Sequence, residues 1–144
     1  MSDRILQATY LKDDKLSMVT KATRWGTFTG VAKCTDEDTD IAHEFTGCHF
    51  AEYKCDIQSQ KKKVKYYHDR YDGINMAYNN LRQAYDTSDP VMVALYRQRN
   101  LAYRDYKKEQ AKYRSMYQSY KDYVAVVLKA HKDIAEKFNQ GKDE

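Results

Sequence analysis

In the C-terminal third of the chain, apolar and aromatic side chains recur on alternating steps of four and three: Met92, Tyr96, Arg99, Tyr103, Tyr106, Gln110, Tyr113, Tyr117, Tyr120, Val124, Val127, His131, Ile134 and Phe138. That spacing predicts one long helix with a single seam, roughly 70 Å long at about 1.5 Å per residue. Most of the seam is tyrosine, whose ring buries well but whose hydroxyl needs water or a partner. The seam is therefore expected to be wide and partly wet. A stripe of the same period precedes it: Phe50, Tyr53, Ile57, Gln60, Val64, Tyr67, Tyr71, Ile74, Tyr78, Leu81 and Tyr85. It predicts a first long helix over 45–86, with Gly73 inside it at a cost of about 1 kcal/mol relative to alanine. Asp86-Thr87-Ser88-Asp89-Pro90 breaks the pattern. Asp89 is a good N-cap and Pro90 a good first helical residue, so the second helix is expected over 89–139. The short connection makes it double back antiparallel. Residues 140–144 read as a disordered tail.

The first 35 residues follow a different period. Ile5 to Leu11 alternates up to the turn Lys12-Asp13-Asp14-Lys15, and Leu16 to Thr23 alternates again up to Arg24-Trp25-Gly26. Thr27 to Cys34 is rich in strand-forming residues. These segments predict a three-stranded antiparallel meander over 1–35, too small to stand alone and needing a helix beneath it. The more aliphatic stretch from Val124 to Phe138 is the expected seat. The fold class is thus α+β in a single domain, 1–144: a small N-terminal β-meander, then a long antiparallel two-helix hairpin. Two helices and a small sheet cannot enclose so many rings, so a homo-oligomer built on a two-fold dimer is expected, with a hexamer as the larger alternative.

Composition removes several function classes. The longest apolar run, Val124 to Leu128, is far too short to span a bilayer, so no membrane partner is expected. The N-terminal residues MSDRILQATYLKDD contain no signal-peptide core, which points to the cytoplasm. A net charge of +4 mildly favours anionic partners. The three cysteines, an odd number without an export signal, read as reduced thiols. Cys34, Cys48, His49 and Cys55 invite a zinc reading, but Cys48 and Cys55 lie two helical turns apart, roughly 10 Å, too far to share one ion. Asp36, Asp38 and Asp40 resemble the start of a calcium loop, yet Ile41 and Gly47 stand where glycine and glutamate are required. Neither a metal nor a cofactor is expected.

No catalytic signature is present. Neither phosphate-loop glycine pattern occurs, and His43, His49, His68 and His131 are scattered. The chain does not read as an enzyme. Binding chemistry gathers near the hairpin bend, where Arg97, Arg99 and Tyr103 of the second helix meet Tyr78, Asn79 and Asn80 of the first. Arginine forks match phosphate oxygens, tyrosine rings stack on bases, and amides read base or ribose edges. Arg99 interrupts the apolar seam and needs a counter-charge, either a bound phosphate or a carboxylate. Asp86, Asp89 or an acid of a second chain would make it an ordinary interface residue. On the residues alone that is the simpler account. Lys61-Lys62-Lys63-Val64-Lys65 is accounted for by a solvated helix face, and nucleic acid is not the expected partner. Trp25, the only tryptophan, sits beside Arg24 at a turn, where it could cap the helices or lie over a ligand.

The strand Gly26-Thr27-Phe28-Thr29-Gly30-Val31-Ala32-Lys33-Cys34, the acidic turn after it, Gly47, the pair Ala51-Glu52 and the pair Arg97-Gln98 resemble a group of small phage and prophage proteins of Gram-positive bacteria. The group has a G-x-F-x-G-x-A-x-C strand, an acidic turn, and a basic Arg-Gln motif opening its last helix. It is identified with the phage anti-defence proteins that counter Thoeris immunity. The resemblance implies a molecular sponge that binds the cyclic ADP-ribose signal of a TIR-domain enzyme, glycocyclic ADP-ribose, and holds it uncleaved in the host cytoplasm. Some members also capture cyclic oligonucleotides. The chain departs from the group at Tyr96, where a second basic residue is usual, with the extra arginine following at Arg99. On this reading Arg97 and Arg99 clamp phosphates, Tyr78 or Tyr103 stacks on adenine, Asn79 or Asn80 reads an edge, and Arg24 closes over the pocket. The rivals are a helical interaction protein, inhibiting a host enzyme or assisting phage assembly, and a nucleic-acid binder.

Overall fold

The computed structural model describes residues 2–33 and 40–142. Three strands, β1 (Arg4–Leu11), β2 (Leu16–Thr23) and β3 (Gly26–Lys33), form an antiparallel sheet in the order β1-β2-β3. Two helices follow, α1 (Asp40–Leu81) and α2 (Pro90–Lys142). The expected α+β architecture with a helical hairpin is what the chain adopts. The acidic stretch 35–39 and Cys34 lie outside the described residues, as do the side chains of His43, His131, Ile134 and Phe138.

The sheet follows from its turns. Lys15 takes a left-handed φ of 53° and closes onto the Lys12 carbonyl. Gly26 at φ 136° turns β2 into β3, in a conformation that L side chains rarely adopt. Thr23 locks that turn: its hydroxyl donates to the Gly26 carbonyl and accepts from the Trp25 amide. Register pairs Val19 with Gly30 and Ser17 with Ala32, placing these on one face with Lys21 and Phe28. A register shift between Ile5 and Gln7 bends the edge strand β1.

The molecule divides into two compact units, residues 1–59 with 116–144, and residues 60–115. In the first, the contacts of the sheet among the described residues are with α1 rather than with the expected seat near the end of α2. Small residues explain this. Gly47, Ala51, Cys55 and Ser59, each four apart, form a low stripe on α1 and are all buried. Val19, Ala32, Ala51 and Cys55 form the core, with Phe28, Cys48 and Phe50 packed against it. A Cβ at Gly30 would collide with the Ala51 carbonyl oxygen, so only glycine permits this approach. Polar pins surround the core. The Cys55 thiol donates to the Val19 and Phe28 carbonyls, Ser59 donates to the Thr23 hydroxyl, and Lys21 reaches both Glu52 (3.1 Å) and Asp56 (2.8 Å). Burial pushes the Cys55 thiol up from its ordinary pKa. The aromatic stripe of α1 faces α2, where Phe50 meets Tyr123 edge-on at 5.3 Å and Tyr53 meets Tyr120 at 5.5 Å.

The helix limits differ from the expected ones in explicable ways. α1 ends at Leu81 because its carbonyl accepts from both Ala84 and Tyr85 in a tightened last turn, leaving Tyr85 outside the seam. α2 begins at Pro90 with Asp89 capping the Val91 amide at 2.9 Å. It runs on to Lys142, into the segment expected to be a tail. The α2 seam keeps Met92, Arg99, Tyr106, Tyr113 and Tyr120 as expected, but at alternate steps the inner residue stands one position from the expected tyrosine. Ala102, 4% exposed, faces inward, whereas Tyr96 (49%) and Tyr103 (44%) lie on the flank. Small side chains at the inner positions let the helices approach, and the tyrosines keep their hydroxyls near water.

Candidate anion-binding cluster

The second unit, residues 60–115, is a pair of antiparallel helical segments held by ring contacts. Near the bend Tyr78 faces Tyr96, one heptad on Tyr71 faces Tyr103 at 5.2 Å, and beyond it His68 meets Tyr106 at 5.1 Å. The register is pinned by a polar layer in which Gln60 and Lys63 of α1 hold Glu109 of α2.

Arg99 sits within this ladder. Its guanidinium carbon lies 4.6 Å from the Tyr78 ring centroid and 5.0 Å from that of Tyr96. Tyr78 is buried, Arg99 half-buried and Tyr96 exposed. Two aromatic faces stabilise a cation here by about 1–2 kcal/mol each when desolvated, but rings satisfy none of its five N–H donors. Among the described residues no carboxylate lies within ion-pair distance of Arg99. The two acids expected to neutralise it are used elsewhere. Asp89 caps α2. Asp86 accepts the Ser88 amide at 3.1 Å and the Thr87 hydroxyl at 3.5 Å, and the Ser88 bond holds its carboxyl below the ordinary value. The simplest intrachain reading of Arg99, pairing with the bend, is therefore replaced by an aromatic clamp around a cation that has no counter-ion among the described residues.

The other candidate residues separate. Tyr103 stands two turns from Tyr96 on the same flank, with Lys107 Nζ 5.5 Å from both its ring and that of Tyr106. Asn79 is exposed on that flank as well. Arg97 is exposed and projects about 200° away from Arg99 around α2, so one chain cannot close both on one phosphate. By the same geometry Asn80 projects about 200° from Tyr78. Arg24 belongs to the other compact unit, where it stacks over Trp25 at 5.5 Å. Of the basic run, Lys63 turns inward to Glu109 at 3.3 Å while Lys61, Lys62 and Lys65 are exposed, so the run is not one continuous charged face. Lys107 was not among the sequence candidates, although a lysine four residues after Tyr103 is the spacing that places a cation beside a ring.

Among the described residues no group of three or more His, Cys, Asp and Glu side chains could hold a metal ion, and no helix is long and apolar enough to cross a membrane. Comparison with known protein families, with curated proteins and with solved structures finds no match to the chain. The chemistry is read from the cluster itself.

Proposed function

We propose that the chain binds a small phosphorylated nucleotide and holds it without making or breaking a bond. One observation carries this reading: a half-buried arginine, flanked by two tyrosine rings, has no carboxylate to neutralise it among the described residues. A phosphate oxygen is the partner that a guanidinium fork fits best. The exposed ring of Tyr103 one heptad from Tyr96 offers a face for a base, and Lys107 beside it offers a second cation. Asn79 stands where an amide could read an edge.

The finer reading comes from the resemblance to Thoeris anti-defence proteins. In that reading the ligand is a cyclic ADP-ribose made by a TIR-domain enzyme in the host cytoplasm, and sequestration is the whole activity. Tight capture requires slow release and no catalytic group. The test incubates purified protein with lysate of cells in which a TIR enzyme has been triggered, removes unbound material, releases the bound fraction by heat and identifies it by mass spectrometry. A cyclic ADP-ribose in the released fraction is the expected result. Protein that emerges empty from this lysate, and does not bind purified cyclic ADP-ribose or ADP in calorimetry, overturns the proposal.

A further inference from the structure

We infer that the cluster takes a nucleoside with a phosphate on either side of it, one at Arg99 and the other at Lys107, with the base on the Tyr103 ring between them. The inference rests on the anion-binding reading and names the class of nucleotide that the site selects.

Two cations are the starting point. Arg99 lies against the rings of Tyr78 and Tyr96. Lys107 repeats the arrangement further along α2, its Nζ 5.5 Å from the ring centroids of both Tyr103 and Tyr106. It donates to the neutral amide oxygen of Gln110 at 3.5 Å, and among the described residues no carboxylate lies within ion-pair distance of it. Each charge is thus held on aromatic rings, which leave its N–H donors unsatisfied. Direction and spacing follow from the helix. Relative to Arg99, Tyr103 turns about 40° around α2, Tyr96 about 60° and Lys107 about 80°, so all four share one flank. Eight residues, about 12 Å along the axis, separate the two cations. Both side chains lean towards the start of α2, so their heads keep that spacing. Tyr103 stands halfway between them and is 44% exposed.

Few ligands satisfy such a pair. A single phosphate reaches one cation only. A diphosphate or triphosphate chain joining both would have to cross the Tyr103 ring, whose face carries the negative part of its quadrupole and repels an anion. A flat, neutral base stacks on that face instead. Cation, ring and cation along the helix therefore match phosphate, base and phosphate along the ligand. That is a nucleoside 5′-phosphate with a second phosphate on the ribose 2′ or 3′ oxygen, the ribose carrying the two charges past the edge of the ring. Arg99 supplies a planar fork to one phosphate and Lys107 a point charge to the other. A cyclic ADP-ribose would use Arg99 and Tyr103 and leave Lys107 idle, so a form of it phosphorylated on ribose belongs to the same class.

The test is calorimetry of the full chain with ADP and with adenosine 3′,5′-bisphosphate at one ionic strength. The two ligands carry the same number of phosphates and differ in where the second one stands. The bisphosphate is expected to bind at least about ten-fold tighter, the gain from one charge-assisted contact. Lys107→Met keeps the length of the side chain without its charge and should bring the two ligands within about three-fold of each other. Lys108→Met removes a neighbouring exposed lysine that points about 100° away, and should leave the preference as it is. Arg99→Ala should weaken both ligands. A nucleotide inside a single strand also lies between two phosphates, so a short oligoadenylate is the last arm. It should bind within about ten-fold of the bisphosphate, and a larger gain would assign the flank to a strand and overturn the free-nucleotide class. A chain that binds ADP through Arg99 but gains nothing from the bisphosphate, or a preference that survives Lys107→Met, overturns the inference and leaves the proposed function standing. A chain that binds neither ligand overturns the inference too, and the triggered-lysate experiment then decides the proposed function separately.

Discussion

The side-chain amide of Gln60 donates twice to Glu109, at 3.1 Å to its backbone carbonyl and at 2.7 Å to its carboxylate. Lys63 completes the layer at 3.3 Å from the other carboxylate oxygen. Gln60 is 6% exposed, so its amide cannot turn to water instead. Sliding the helices past each other would strand these groups, which makes the layer a register lock. Gln60→Leu should cost about 1–3 kcal/mol in chemical denaturation, because a desolvated carboxylate loses its main donor.

The same carboxylate sets an acid limit. Burial pushes the Glu109 pKa up, but the hydrogen bonds from Gln60 and Lys63 and the charges of Lys63 and Lys112 outweigh it, so the net shift is downward. A depressed folded pKa contributes stability above the unfolded value, about 4.3, and that contribution is lost as pH falls through the folded value. Urea midpoints followed from pH 7 down to pH 3 should therefore drop less steeply in Glu109→Gln than in the wild type. Equal slopes would show that Glu109 is not the titrating group.

Gly30 gives the sharpest packing prediction. Its Cα rests against the Ala51 backbone, and backbone cannot swing aside as a side chain can. Gly30→Ala should separate the sheet from α1 at a cost of about 1–3 kcal/mol, the range for overpacking a tight contact. Thermal melts should show the lowered midpoint. Gly73→Ala, where no atom stands near, should not lower stability in the monomer, and the contrast separates contact from propensity.

Alternation and turn chemistry made the sheet legible: Leu16 to Thr23 and the Arg24-Trp25-Gly26 turn fall where the pattern put them, and Asp89-Pro90 opens α2. The seat of the sheet was legible only in part. Ala51, Cys55 and Ser59 form a small-residue stripe, but the aromatic stripe of Phe50, Tyr53 and Ile57 dominates the same helix and drew attention to the other face. Alternate positions of the α2 seam are displaced by one because tyrosine satisfies an apolar pattern from the flank while its hydroxyl stays wet, so spacing alone does not separate Tyr103 from Ala102. In the site, the charge that breaks the seam singled out Arg99. Arg97 was grouped with it despite the 100° turn per residue, and although Asp89 reads from the sequence as the cap of α2, nothing local says that Asp86 is held by the bend as well.

Lys21 sets the alkaline counterpart of the Glu109 effect. Desolvation lowers its pKa, but hydrogen bonds to Asp56 and Glu52 and their charges win, so the folded value is raised. Its contribution is fully present below the unfolded value, near 10.4, and is lost as pH rises through the folded one. As pH rises above about 10.4 the wild type should lose stability that Lys21→Met, already without the ion pairs, does not. At pH 7 Lys21→Met should be less stable by about 1–3 kcal/mol, reduced from a fully buried pair because Glu52 and Asp56 remain partly solvated.

Arg99 and Arg97 offer a paired test of the site, since they share chemistry and differ in direction. Arg99 is held against Tyr78 and Tyr96, whereas Arg97 extends to solvent on the other side of α2. Arg99→Ala should weaken binding of cyclic ADP-ribose at least about ten-fold, while Arg97→Ala should change it less than about three-fold, as expected for loss of a partly desolvated charge-assisted contact against a surface charge. Arg99→Lys should recover little, because an ammonium keeps the charge but not the planar fork. Calorimetry gives the affinities, and sedimentation run alongside separates site from interface. If the wild type self-associates and Arg99→Ala, but not Arg97→Ala, dissociates it, Arg99 is holding subunits together and the anion site must be sought elsewhere on the tyrosine flank.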